Sequence, residues 1–270
     1  MRNFVLSVLL CCFQFVAAAG SIDTVRVYSH SMKKEIQAVI IQPIEKGKGI
    51  TYPVLYLLHG FGGNSGLWIT KVPQLQQLAD KYGCVIVCPD AGYTTLYFDN
   101  PLDSNARFET HFISELIPFV ESHYPVSRER KYRAISGLSM GGFGAFFLAS
   151  RHMELFGAAG SMSGVLDLNP FSNNKMAAKK GIDSTCCSVN WDNFINAPAS
   201  DSTKPGQIRL IIDCGLDDYL LAINRNVHKR LASQKIAHDY TERPGRHEWG
   251  YWKNAIEFQL LFFRKAWDEN

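Results

Sequence analysis

Serine, histidine and carboxylate side chains stand in this chain at spacings that suit nucleophilic catalysis. Ser139 lies in Gly137-Leu138-Ser139-Met140-Gly141-Gly142. The stretch before it, Lys131 to Ser136, reads as a strand, and the stretch after it, Phe143 to Ser150, reads as a buried helix. A G-x-S-x-G between strand and helix is a nucleophile elbow. The serine sits at a sharp, strained turn that projects its hydroxyl from the sheet edge, and side chains at the flanking glycines would collide with neighbouring elements. The turn also aims the first amides of the helix at the reacting centre, where negative charge would develop.

A serine hydroxyl is a weak nucleophile near neutral pH. It needs a base to take its proton and an acid to orient that base. In a wound parallel sheet, the loops after the strands share one rim, so the partners of Ser139 are expected just after later strands. Of the eight histidines, His247 alone falls in a turn after a late strand. His59 ends an earlier strand before a glycine loop, and His152 and His228 fall in helical stretches. Three carboxylates follow the strand Ile208 to Ile212: Asp213, Asp217 and Asp218. Asp213 reads as part of the strand or its cap. Asp218 lies further round the turn than Asp217 and is placed to reach the histidine; the other carboxylate is expected to cap the helix that follows. Two amides must receive the oxyanion: the N–H of Met140, next to the nucleophile, and the N–H of Phe61, in the loop after His59-Gly60.

The elements that carry these residues alternate. Thr24 to Ser29 and Glu35 to Gln42 read as an opening antiparallel pair. The apolar run Tyr52 to Gly60 suits a central strand covered on both faces. A helix over Val72 to Tyr82, a strand from Cys84 to Cys88 and an irregular stretch from Ala91 to Arg107 follow. In Phe108 to His123, residues Phe112, Leu116, Phe119 and Val120 share one helical face. After the elbow come a strand from Phe156 to Met162, a polar, irregular region from Leu166 to Pro205, the strand at Ile208, a helix carrying Leu220 to Leu231, a strand from Ala237 to Thr241, and a final helix from Trp249 to Trp267. The alternation implies an α/β fold with a mostly parallel central sheet and helices on both faces. Neither an internal repeat nor a low-complexity linker appears, so residues 20–270 are expected to form one domain.

The net charge of +3 is small for 270 residues, and no basic run exceeds two residues. That argues against nucleic acid as a partner. Residues 1–19 have the form of a signal peptide. Arg2 is followed by an apolar run from Phe4 to Val16 and then by Ala17-Ala18-Ala19, too short to span a bilayer. The expectation is export, to the periplasm or outside the cell, without stable membrane insertion. Past that segment remain Cys84, Cys88, Cys186, Cys187 and Cys214. Cys84 and Cys88 lie too far apart along a strand to bridge, so oxidation is expected, if anywhere, at Cys186-Cys187. No spacing matches a metal site, and no organic cofactor is called for.

Four stretches together resemble the esterase D, antigen 85 and feruloyl esterase branch of the α/β-hydrolases: Tyr56-Leu57-Leu58-His59-Gly60-Phe61-Gly62-Gly63, the Ser139 elbow, Cys214-Gly215-Leu216-Asp217-Asp218, and Gly245-Arg246-His247-Glu248-Trp249 with Trp252. The likeness is nearest to secreted bacterial tributyrin-esterase and carbohydrate-esterase types. The resemblance implies an α/β-hydrolase fold and a Ser139–Asp218–His247 triad, since the family's acid closes a G-x-x-D turn. It implies Phe61 and Met140 as oxyanion donors, and His59, Gly60, Trp68 and Trp249 as residues of the substrate site. The activity implied is hydrolysis of short-chain acyl esters, or of acetyl or feruloyl esters of polysaccharide. Acyl transfer of the antigen 85 type, carbohydrate binding without catalysis, and peptide hydrolysis are the alternatives. The loop with His59-Gly60 departs from the S-formylglutathione hydrolases. Tyr93, Tyr97, Phe98 and Trp191 stand in loops where they would either stack on substrate or simply pack.

Overall fold

The computed structural model describes residues 20–44, 49–168, 188–196 and 207–269. Residues 1–19, expected to be a signal peptide, and Cys186-Cys187 lie outside the described residues. Eight strands are described: β1 (Ile22–Ser29), β2 (Lys34–Ile41), β3 (Val54–Leu58), β4 (Val85–Pro89), β5 (Arg133–Gly137), β6 (Ala158–Met162), β7 (Arg209–Gly215) and β8 (Asp239–Arg243). They form one sheet in the order β1-β2-β4-β3-β5-β6-β7-β8. β1 and β2 pair antiparallel, β2 joins β4 antiparallel, and every pairing from β4 through β3 to β8 is parallel.

Strands β3, β4, β5 and β6 are buried along their whole length. Helices cover both faces, which is why these strands read as continuous apolar runs rather than alternating ones. On one face, Tyr56, Val87 and Ile135 pack with Phe112, Phe143 and Phe147. On the other, Leu55, Leu57 and Ile86 pack with Trp68, Leu75, Ile256, Phe263 and Trp267. The helix Met140–Arg151 is buried on nearly every side, because it packs between β3, β5 and β6 on one side and the helix Trp191–Asn196 on the other. No helix among the described residues is long and apolar enough to cross a membrane.

Several expected elements differ in detail. The helix expected over Val72 to Tyr82 begins at Leu75, and a separate short helix, Leu67–Lys71, precedes it. They break at Val72, which precedes Pro73 and has φ −126°, ψ 74°; a residue before proline is pushed out of the helical region. The stretch from Phe108 to His123 is helical, but Phe112–Leu116 widens into a π turn in which the Ile117 N–H reaches the Phe112 carbonyl. Pro118 follows at once; it lacks an N–H, and its ring would crowd the Ser114 carbonyl of a regular helix. Within the region expected to be irregular, Trp191–Asn196 is a helix whose Trp191 and Phe194 pack on Phe146. Cys84, Cys88 and Cys214 are free and buried.

Candidate active site

The strand β5 ends at Gly137, and Ser139 takes φ 53°, ψ −117° before the helix begins at Met140. Only the surroundings can hold a serine there. A Cβ at Gly137 would lie 2.5 Å from the Gly141 backbone, and one at Gly141 would lie 2.5 Å from the Leu58 carbonyl. The Ser139 N–H donates to the Met162 carbonyl at 2.9 Å, tying the turn to the end of β6.

Two later strands bring up the partners. Asp218 follows β7 and His247 follows β8, and the two loops are joined through their backbones. The Leu216 N–H donates to the Arg243 carbonyl and the Asp217 N–H to the Gly245 carbonyl, both at 2.9 Å. His247 Nε2 lies 2.9 Å from Ser139 Oγ, and its Nδ1 lies 2.9 and 3.0 Å from the two Asp218 oxygens. Ser139 and Asp218 are buried and His247 is half-buried. Burial alone would raise the Asp218 carboxyl. Hydrogen bonds from His247 and from the Leu220 N–H outweigh it and hold the group below the ordinary carboxylate value. An imidazole with its Nδ1–H on this carboxylate presents a bare Nε2 to the serine hydroxyl, as general-base chemistry requires.

Asp217 is exposed. The capping role expected of it is not there: Asp218 Oδ1 itself accepts the Leu220 N–H at 2.8 Å, and the helix Leu221–Ser233 has no side-chain cap bond. The turn is tight enough for one carboxylate to serve both partners.

Opposite, the loop after β3 runs past the serine. A Cβ at Gly60 would lie 3.4 Å from Ser139 Cβ, so this loop and Ser139 are neighbours. The N–H groups of Phe61 and Met140 make no hydrogen bond among the described residues, while Gly62 and Gly63 donate to the Tyr93 and Gly60 carbonyls. Met140 opens its helix, where the first amides have no partner within the helix.

His59 does not face substrate. Its ring is buried, Nε2 accepts the Ala91 N–H at 3.1 Å, and Nδ1–H donates to the Gly60 carbonyl at 2.8 Å. Burial holds its pKa below the ordinary value. Asp90 lies 3.9 Å away, but an Nε2 that accepts an amide is not protonated, so the ring is a neutral imidazole. The Gly60 carbonyl belongs to the same planar peptide as the Phe61 N–H, and in a trans peptide the two point opposite ways. By fixing the carbonyl, His59 fixes the direction of the Phe61 amide. The Tyr97 hydroxyl donates to the His59 carbonyl at 2.9 Å and anchors the preceding peptide.

Trp68 also differs from expectation. It is fully buried, donates Nε1–H to the Leu58 carbonyl at 3.1 Å, and stands edge-on to Trp249. Trp249 is half-buried and edge-on to Trp252, which in turn packs edge-on to His247 at 4.9 Å. The tryptophans therefore form a buttress behind the histidine, with Trp249 its outermost member. Of the four loop aromatics, Tyr97, Phe98 and Trp191 are buried packing residues. Tyr93 is exposed and pairs edge-on with the exposed Phe61. Sequence reasoning missed Tyr219, whose exposed ring lies 4.5 Å from that of His247. Its position directly after Asp218 was the available signal. Among the described residues, no group of three or more His, Cys, Asp or Glu is arranged to hold a metal ion.

A family model described as "Putative esterase" matches residues 29–263. An acetyl esterase of Caldicellulosiruptor saccharolyticus is 26% identical over 269 residues, covering 92% of this chain and 100% of that protein. The solved structure of a ferulic acid esterase superposes with a TM-score of 0.77 at 27% identity, covering 92% of this chain and 99% of the other. The structure of Mycobacterium tuberculosis MPT51 shares the fold, with a TM-score of 0.71 at 20% identity over 92% of this chain and 99% of the other.

Proposed function

The chain belongs to this esterase family, has the α/β-hydrolase fold and is a carboxylic ester hydrolase; on that premise we propose that it works through an acyl-serine intermediate on Ser139. The observation that carries this reading is the unbroken line from Asp218 through His247 to Ser139 Oγ. His247 Nε2 takes the hydroxyl proton as Oγ bonds to the ester carbonyl carbon. The oxygen that becomes negative is received by the N–H groups of Phe61 and Met140. The C–O bond to the alcohol then breaks, and His247 returns the proton to the departing alkoxide. Water repeats the sequence, releasing the acid and restoring Ser139. Asp218 stays ionised throughout and stabilises the imidazolium.

The substrate reading is a small or planar acyl group, acetyl or feruloyl, esterified to a carbohydrate. The acetyl esterase and ferulic acid esterase relatives support it. So do the exposed rings of Phe61, Tyr93 and Tyr219, which flank the loop beside Ser139 and the His247 ring. A planar ring or a sugar face can stack on such surfaces. Residues 1–19 are proposed to direct export, leaving residues 20–270 as one catalytic domain.

Initial rates on 4-nitrophenyl acetate, butyrate and octanoate and on methyl ferulate test the proposal. The expected result is activity on the shorter esters and methyl ferulate that falls on the order of 10⁴-fold or more in Ser139→Ala. Intact-mass detection of an acyl adduct on the wild type, absent in the variant, is the companion result. Equal activity of the two proteins would remove Ser139 from the mechanism.

A further inference from the structure

Beneath the site runs a line of buried polar side chains that the proposed chemistry leaves unused. Asp213 lies in β7 and is fully buried. Its Oδ1 accepts the Tyr251 hydroxyl at 3.1 Å and lies 3.4 Å from Arg243 Nη2, while its Oδ2 accepts Gln259 Nε2–H at 2.8 Å. Gln259 Oε1 accepts the Ser136 hydroxyl at 2.9 Å. Room for Gln259 is made by Gly160 of β6, where a Cβ would lie 2.0 Å from Gln259 Oε1. Each strand that leads to a triad residue contributes: Ser136 precedes Ser139 in β5, Asp213 precedes Asp218 in β7, and Arg243 precedes His247 in β8. The helix Trp249–Asp268, which starts just after His247, supplies Tyr251 and Gln259. Tyr251 also packs on Gly245, where a Cβ would lie 2.7 Å from its ring.

A buried carboxylate is a poor way to stabilise a fold; well-packed apolar side chains do as well or better. This one ties β7 to the end of β8 and to the helix that follows His247. We propose that Asp213 is a positioning residue of the ester-cleaving site: by bridging Arg243, Tyr251 and Gln259, its carboxylate sets the spacing between the turn carrying Asp218 and the loop carrying His247. The inference rests on the reading of Ser139, His247 and Asp218 as the triad.

Burial pushes the Asp213 carboxyl up to about 6, against the opposing pull of Arg243, Gln259 and Tyr251. A carboxyl raised in this way stabilises the fold only where it is protonated. That contribution is lost as pH rises through about 6. At neutral pH the buried charge carries a desolvation cost, which a neutral side chain at this position removes. Asparagine still fails as a bridge, because its NH2 group must face either the Gln259 amide or the Tyr251 hydroxyl and the Arg243 guanidinium, and the donors left unpaired offset that gain.

The test is Asp213→Asn and Tyr251→Phe, with kcat and KM on 4-nitrophenyl acetate and Tm at pH 7. Asp213→Asn is expected to lower kcat roughly 10- to 100-fold, the scale of a sub-ångström to ångström misalignment, with KM changed by less than about twofold and the protein still folded at the assay temperature. Tyr251→Phe is expected to move kcat the same way by less, and it decides the matter should Asp213→Asn fail to fold. Unchanged kcat in the folded variants, or a fall in kcat that only follows a fall in Tm, would overturn the proposal. Ser139→Ala measured alongside keeps the two readings apart: residual activity there sinks the triad, whereas wild-type kcat in Asp213→Asn sinks only the positioning role.

Discussion

Two substitutions at Ser139 separate the strain of the elbow from the chemistry it serves. Both Ser139→Ala and Ser139→Gly lose the hydroxyl and its 2.9 Å contact with His247, so that loss cancels between them. They differ in the Cβ. Alanine keeps it, and with it the strain of φ 53°, ψ −117°, a region that holds non-glycine residues at a cost of about 1–3 kcal/mol. Glycine adopts the region freely but gives up about 0.5–1 kcal/mol through the greater freedom of its unfolded chain. The difference favours glycine by up to about 2.5 kcal/mol. For a chain of this length that is up to about 10 °C in Tm. The order is the reverse of that at an ordinary helical position. Ala222→Gly, on the exposed face of the helix Leu221–Ser233, should lower stability by about 1 kcal/mol. Thermal unfolding followed by circular dichroism, confirmed by urea titration, reads all of these. If Ser139→Gly melts no higher than Ser139→Ala, the elbow does not store strain and the argument from its dihedral angles fails.

Asp218→Asn should lower kcat by about 10³–10⁴-fold, while Asp217→Asn, an exposed neighbour, should leave kcat within about twofold; equal losses in the two would misassign the acid. Because Asp218 is held below the ordinary carboxylate value, the stability it contributes is present above that ordinary value and is lost as pH falls through the lower, folded-state one. The Tm gap between wild type and Asp218→Asn should therefore narrow only in acid, below about pH 4. Tyr97→Phe removes the donor to the buried His59 carbonyl and should destabilise by about 1–3 kcal/mol, with kcat falling more than KM changes. Tm and steady-state rates check both halves of that statement. Phe61→Ala and Tyr93→Ala should raise KM for methyl ferulate several-fold while leaving KM for 4-nitrophenyl acetate within about twofold; parallel shifts on both esters would remove the exposed pair from acyl recognition.

Much of this arrangement was legible in the chain because it is written locally. The Ser139 elbow is contiguous, with strand before, helix after and glycines where a Cβ has no room. The parallel sheet shows as fully apolar runs such as Val54 to Leu58. The carboxylate and histidine show because each stands in a turn just after a late strand. Where sequence offered two adjacent carboxylates, the deciding fact was rotational. Asp217 turns its N–H to the Gly245 carbonyl and its side chain to solvent, and Asp218 turns inward. Spacing alone separates such neighbours poorly.

The residues misread share a different cause. His59 and Trp68 stand beside the site in sequence, and contact with substrate was a natural expectation. Both instead bind backbone carbonyls: Trp68 holds that of Leu58, and His59 holds that of Gly60. With Tyr97 on the carbonyl between them, three consecutive peptides of the loop after β3 are fixed by side-chain donors. A polar side chain that orients a backbone carries no sequence signature distinct from one that touches a ligand. The donor type is the same, and only the direction of the side chain differs. Asp213 is harder still, since its partner Gln259 is 46 residues away and lies in a helix whose other buried positions read as ordinary core. The same physics links the two cases. An oxyanion donor that is a backbone amide cannot be chosen by side-chain type, so its accuracy has to come from whatever grips the peptide carrying it. Likewise, a base and an acid on separate loops can be no better aligned than the contacts that join those loops. Both demands place polar side chains in buried positions where stability alone would favour apolar ones. At such positions neutral, shape-conserving substitutions should lower turnover by more than their loss of stability accounts for.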